Sequence, residues 1–153
     1  MIAPGTFYQE SIRAAKILNR WAILLIGENP PPAELAPDTI AVDYLPYSQI
    51  FPYASAIVHQ GGIGTTAQAL RVGCPTLITP YANDQPDNAA RVARLGTSRT
   101  IARSQYTASR VAKELRELLE NPQYVTKAAE IGKIIRAENG VSVACDAIIQ
   151  RIG

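Results

Sequence analysis

Three glycines and two threonines stand together in His59-Gln-Gly-Gly-Ile-Gly-Thr-Thr66, and a carboxylate beside an amide follows at Asp84-Gln85. Glycine allows close backbone approach and dihedrals that a side chain forbids. Where such a turn opens a helix, free N–H groups and the positive end of the helix dipole face a phosphate. The backbone from Gly62 through Ile63 and Gly64 to Thr65 is the candidate cradle; Thr65 and Thr66 add hydroxyl donors or cap the helix. Asp84 and Gln85 can accept from and donate to vicinal sugar hydroxyls. The plainer alternatives are a tight strand-to-helix turn that binds nothing and an Asp84 that caps the helix carrying Asn88 and Arg91. A ligand that is polyanionic at one end and hydroxyl-rich at the other satisfies both loops, which points to a nucleotide sugar.

The turn differs from two better-known phosphate motifs. Gly62-Ile-Gly64 has Ala67 in place of the third glycine of a dinucleotide fingerprint, and no ribose-binding acid follows at the expected distance. No Gly-Lys-Ser/Thr follows, so it is not a P-loop. His59 is the only histidine and falls at the carboxyl end of a predicted parallel strand, where open α/β sheets bind ligands. Its position beside the glycines favours a ligand role over a histidine bonded to a neighbouring backbone group.

The elements that position these loops alternate between helix and strand periods, which predicts a parallel sheet covered by helices. Thr6 to Gln9 has capping-box spacing and opens a helix that reaches about Arg20. Trp21 to Ile26 reads as a fully buried strand stopped by Gly27, and Asn29 to Pro37 as an extended polar loop. Thr39–Asp43, Ala56–Val58, Pro75–Thr79 and Arg99–Ala102 read as further strands, with Tyr47–Tyr53 a turn broken by Pro52. Helices are predicted at Thr65–Val72, closed by Gly73, and at Asp87–Leu95, closed by Gly96. Beyond Thr107 the pattern is helical throughout. Val111, Leu115, Leu118 and Leu119 mark one face, Val125, Ala128, Ile131 and Ile135 a second, and Val141, Cys145, Ile148 and Ile149 a third.

With 153 residues, 47% hydrophobic and 18% charged, the chain has the composition of one globular domain spanning 1–153. A net charge of +2 without a basic cluster argues against nucleic acid. The longest apolar run is far too short to span a membrane, and no secretory signal opens the chain. Cys74 and Cys145 share no motif with a histidine, which argues against structural zinc and for free thiols in a cytoplasmic setting.

Taken in order, Gly-Gly-Ile-Gly-Thr, Gly73-Cys-Pro75, Pro80 and Asp84-Gln85-x-x-Asn88 form a specific series. The chain resembles the carboxyl-terminal, donor-binding half of nucleotide-sugar glycosyltransferases of the GT-B fold, the family 1-type UDP-glycosyltransferases, from about Pro4 to Arg103. The resemblance implies a Rossmann-like, doubly wound α/β domain with about five parallel strands, helices on both faces and the first, central strand missing. It implies that Tyr44, in Tyr44-Leu45-Pro46-Tyr47, stacks on the base while Tyr47 gives backbone contacts. It further implies that Gly62 to Thr65 meet the diphosphate, that Gln68 aligns with an acid gripping the ribose, and that Asp84-Gln85 bind the sugar. The family's phosphate-contacting histidine aligns with Gln60, one residue after His59, and Gln68 is neutral where an acid is usual.

Under the resemblance, the donor is a UDP- or dTDP-sugar, the reaction is hexosyl transfer to an acceptor hydroxyl, and neither metal nor cofactor is expected. The acceptor-binding domain and the usual general base would lie outside these residues, so the chain alone is expected to be inactive. It would act with an acceptor-domain subunit or as a homo-oligomer through an exposed sheet edge; the alternative is a non-catalytic nucleotide-binding module or remnant. The sheet is expected either to close directly between Trp21–Ile26 and Ala56–Val58 or to take a strand from another chain, since an unpaired central edge is costly.

Overall fold

Short β-branched runs and longer i, i+3/i+4 apolar runs sort into strands and helices along the chain. The computed structural model describes residues 4–152. In order the elements are α1 (Phe7–Leu18), β1 (Ala22–Leu25), β2 (Thr39–Val42), α2 (Tyr47–Ile50) with a 3₁₀ turn at Phe51–Tyr53, β3 (Ile57–His59) and α3 (Ile63–Val72). There follow β4 (Thr76–Ile78), α4 (Gln85–Arg94), β5 (Ser98–Thr100), α5 (Ala108–Glu120), α6 (Pro122–Ala137) and α7 (Gly140–Ile152).

Every strand pairing among the described residues is parallel, but the five strands form two sheets, β1-β2 and β3-β4-β5. Direct closure between the first strand and β3 therefore does not occur. β1 bonds only toward β2, with Ala22 opposite Thr39, and β3 only toward β4, with His59 opposite Ile78. The expected full burial of Trp21–Ile26 is met on one face only. Leu24 and Ile26 pack on Ile12 of α1, whereas Trp21 is 73% and Ile23 44% exposed on a face without a helix.

The three-stranded sheet is covered on both faces, as a doubly wound sheet requires. Leu77 joins Ala14 of α1 with Val111 and Leu118 of α5 on one side. Its neighbour Ile78 points the other way onto Ala89 and Val92 of α4, and Ile57 packs on Phe51, Ala69 and Cys74 beneath α3. Glu114, buried on α5, pairs with Arg99 of β5 and with Arg110 at 2.9 Å, because a buried carboxylate needs compensation.

The expected capping box at Thr6 does not form. Thr6 makes no side-chain cap bond; the acidic residue of that first turn, Glu10, receives the Ala108 N–H at 2.6 Å and so caps α5. α6 crosses the carboxyl end of α3, where Gly73 adopts φ 78° and Gly132 lies so close that a Cβ on it would meet Gly73 Cα at 2.8 Å. α7 follows the predicted period, but it buries no residue, and Val141, Val143, Ile148, Ile149 and Ile152 are exposed. Both cysteines are free thiols. Cys74 is buried and donates to the Ala54 carbonyl at 3.2 Å, and burial pushes its pKa up to about 12. No helix among the described residues is long and apolar enough to cross a membrane.

Candidate functional site

The register that sets His59 opposite Ile78, and Ile78 opposite Thr100, brings the loops after β3, β4 and β5 to one edge of the sheet. The glycine turn enters α3 two residues earlier than the pattern predicts, with Gly62 as the N-cap and Ile63 as the first helical residue. The first N–H groups of a helix have no intrahelical acceptor, and those of Ile63, Gly64 and Thr65 find none among the described residues. Ile63 is 67% exposed and Gly64 is also exposed. A Cβ built on Gly64 would meet nothing within 4 Å, so the fold itself does not require glycine there.

Gly61 is different. Its φ of 91° belongs to the region that favours glycine, and a Cβ there would meet Ile78 Cγ2 at 3.0 Å and the Gln85 carbonyl at 3.2 Å. The glycine turn thus sits directly on the start of α4. The two loops that sequence spacing singled out are neighbours.

His59 is buried, and its Nδ1 accepts the Gly61 N–H at 3.0 Å. That is the backbone-bonded arrangement weighed against a ligand role. Because Nδ1 accepts, the proton sits on Nε2, which is buried without a partner among the described residues. Burial lowers the His59 pKa from 6.5 to about 4. The unfolded chain then binds the proton more readily, so this histidine removes stability as pH falls from above 6.5 toward 4. Between about pH 7.5 and about pH 5 the expected loss is about 2 kcal/mol. Urea unfolding of wild type and His59→Gln at both pH values measures it; the variant should lose that part of the pH dependence. Equal pH dependence in both proteins would show that His59 titrates normally.

Asp84 occupies the N-cap position of α4 but makes no side-chain bond to the helix backbone. Its exposed carboxylate instead accepts from Asn88 Nδ2 at 2.8 Å. Gln85 is half-buried, and its Oε1 accepts the N–H groups of Tyr81 and Ala82 at 2.8 and 3.2 Å. The Gln85 side-chain carbonyl is therefore occupied within the loop, which leaves its amide as the outward donor. Thr66 Oγ1 is buried without a partner among the described residues, so Thr65 is the threonine near the surface.

Gln60 is exposed beside the turn, and Gln68 is exposed one helical turn beyond Gly64 on the same stripe of α3. Tyr44, 76% exposed, follows β2. The Tyr47 ring is stacked on Phe51, with ring centroids 4.5 Å apart. Phe51 packs on Ala69, so the Tyr44–Tyr47 segment leads into an element seated against α3. Sequence reasoning gave no role to Arg103, whose guanidinium lies 4.2 Å from the centre of the Tyr81 ring. It borders an open cleft of about 450 Å³ with Pro80, Pro86 and Ala89, next to the Asp-Gln loop. No motif marks a cation placed just past a strand end.

The family described as erythromycin biosynthesis protein CIII-like, C-terminal domain, matches residues 21–149. O-mycaminosyltylonolide 6-deoxyallosyltransferase of Streptomyces fradiae is 35% identical over 127 residues, which are 82% of this chain and 30% of that protein. Sterol 3-beta-glucosyltransferase of Yarrowia lipolytica is 39% identical over 118 residues, 77% of this chain and 8% of that protein. The chain thus spans less than a third of either relative. Among solved structures, the glycotransferase of kitacinnamycin superposes with a TM-score of 0.88 at 27% identity, over 98% of this chain and 40% of that one. The glycosyltransferase VinC, solved in complex with dTDP, gives 0.72 at 30% identity over 77% of this chain and 30% of that one.

Proposed function

The chain belongs to the erythromycin biosynthesis protein CIII-like C-terminal domain family of glycosyltransferases, and from that premise we propose that it holds a nucleoside diphosphate sugar as the donor half of a hexosyl transfer. The observation that carries the reading is the junction of the two loops: open helix N–H groups at Ile63 to Thr65, and an exposed Asp84 tied to the same turn through Asn88. A diphosphate on the α3 terminus would place its sugar toward Asp84 and the amide of Gln85, and its nucleoside toward Gln68 and Tyr44. An exposed ring such as Tyr44 can stack on a pyrimidine. The dTDP held by VinC supports a thymidine or uridine diphosphate as the probe.

In the proposed reaction the acceptor oxygen forms a bond to the anomeric carbon as the bond to the diphosphate oxygen breaks. Negative charge grows on the departing diphosphate, where preoriented N–H groups and the helix dipole stabilise it. The acceptor hydroxyl must lose its proton, and none of the residues assigned here takes it. Transfer by this chain therefore draws on an acceptor-binding unit, in the same polypeptide or in a partner subunit.

Calorimetric titration of the chain with UDP, dTDP and UDP-glucose tests donor binding. Asp84→Ala should keep the affinity for the diphosphates and lose about tenfold for the sugar-bearing ligand, the worth of a hydrogen bond to a charged group. Equal binding of all ligands by both proteins would remove Asp84 from the site, and no binding by wild type would overturn the donor reading.

A further inference from the structure

The side-chain amide of Asn88 has two N–H bonds to give, and both are spent across the boundary between the loops. One goes to the Gly61 carbonyl at 2.9 Å and the other to Asp84 Oδ2 at 2.8 Å. The Asn88 backbone N–H also bonds to the Asp84 carbonyl at 2.9 Å, so the i, i+4 spacing of α4 fixes carboxylate and amide together. The opposite side of Gly61 is held by His59, whose Nδ1 takes its N–H. Gly61 is consequently gripped at both polar groups, and Ile78 and Gln85 leave no room for a Cβ on it.

We propose that Asn88 is a positioning residue that couples the diphosphate turn to the sugar-reading carboxylate by holding the Gly61 carbonyl and Asp84 on one amide. The inference rests on the donor-site reading above and adds to it a residue that neither touches the ligand nor belongs to a phosphate motif. Its physical content is twofold. The orientation of the Gly61 carbonyl sets the direction in which Gly62 to Gly64 leave the strand, and hence where the α3 N–H groups aim. The bond to Oδ2 fixes one Asp84 oxygen so that the other is presented to a sugar hydroxyl in a single geometry. Without Asn88 the Gly61 carbonyl loses its partner and Asp84 is free to change rotamer, so both halves of the site loosen together.

The test is a double-mutant cycle read by calorimetry with dTDP, UDP and UDP-glucose, on wild type, Asn88→Ala, Asp84→Ala and the double variant, with melting curves on each. Asn88→Ala should weaken the diphosphates about threefold and UDP-glucose about thirtyfold, because only the sugar-bearing ligand uses both loops. In the Asp84→Ala background the additional sugar-specific loss should shrink to less than about twofold, a non-additivity that general loosening of the fold would not produce. Asn88→Ser, which keeps one donor, should fall between the two, and it replaces alanine if that variant does not fold. Independent, multiplicative losses, or an Asn88→Ala protein that binds all ligands as wild type does, would overturn the proposal while leaving the donor site standing. A wild-type chain that binds none of the three ligands overturns the donor reading and this inference with it.

Discussion

Gly64→Val should weaken binding of UDP and dTDP about a hundredfold while leaving the melting temperature of the chain nearly unchanged. The two halves of this expectation come from one observation: a Cβ at this position meets nothing within 4 Å, and the residue lies in the exposed first turn of α3. Valine therefore clashes with no protein atom, and its helix propensity is no worse than that of the glycine it replaces. Its methyl groups would project where a phosphate must lie to receive N–H bonds from the helix start. Two lost bonds to a charged ligand amount to roughly 3 kcal/mol, or about a hundredfold in affinity. Calorimetry beside a thermal melt reads both quantities. A folded Gly64→Val protein with wild-type affinity would place the diphosphate away from α3.

The second large effect is one of stability. Gly132→Val is expected to destabilise the chain by about 3 kcal/mol, which for a domain of this size lowers Tm by roughly 10 °C. A Cβ on Gly132 would come within 2.8 Å of Gly73 Cα and 3.0 Å of Gly73 N, both backbone atoms. Gly73 cannot give way easily, because its own φ of 78° closes α3 and its α-carbon faces Ala128 of α6. The strain must be relieved by moving α6 off α3. Urea unfolding measures the loss, and a variant as stable as wild type would show that the two helices can part at little cost.

Much of the fold was legible because its signals are local. Apolar triplets before turn residues located β3 and β4, and glycines with positive φ marked the ends of α3 and α4 at Gly73 and Gly96. The closeness of the glycine turn and the Asp-Gln loop was legible because a parallel sheet places successive strand ends on one edge. What escaped was non-local. Hydrophobicity alone could not tell that Trp21 and Ile23 face no helix, since a six-residue apolar run looks the same whether or not a neighbour covers it. The role of Glu10 depended on its finding Ala108 across 98 positions of sequence. His59 and Asn88 are read correctly only once both are seen to converge on Gly61, and nothing in their spacing announces that. The apolar period of α7 was visible, but periodicity records which face wants cover and is silent on what supplies it.

The contact between Gly73 and Gly132 has a mechanical corollary. α3 is a rod of ten residues, about 15 Å long, and its two ends serve different masters. One offers amides to solvent; the other is bolted down by α6, where Arg136 donates to the Arg71 carbonyl at 2.5 Å and brings a cation to the negative pole of the dipole. A stiff rod transmits tilt. If the α3 terminus binds an anion as proposed, any coupling between that site and the α6 contact runs equally in both directions, by the reciprocity that governs linked equilibria.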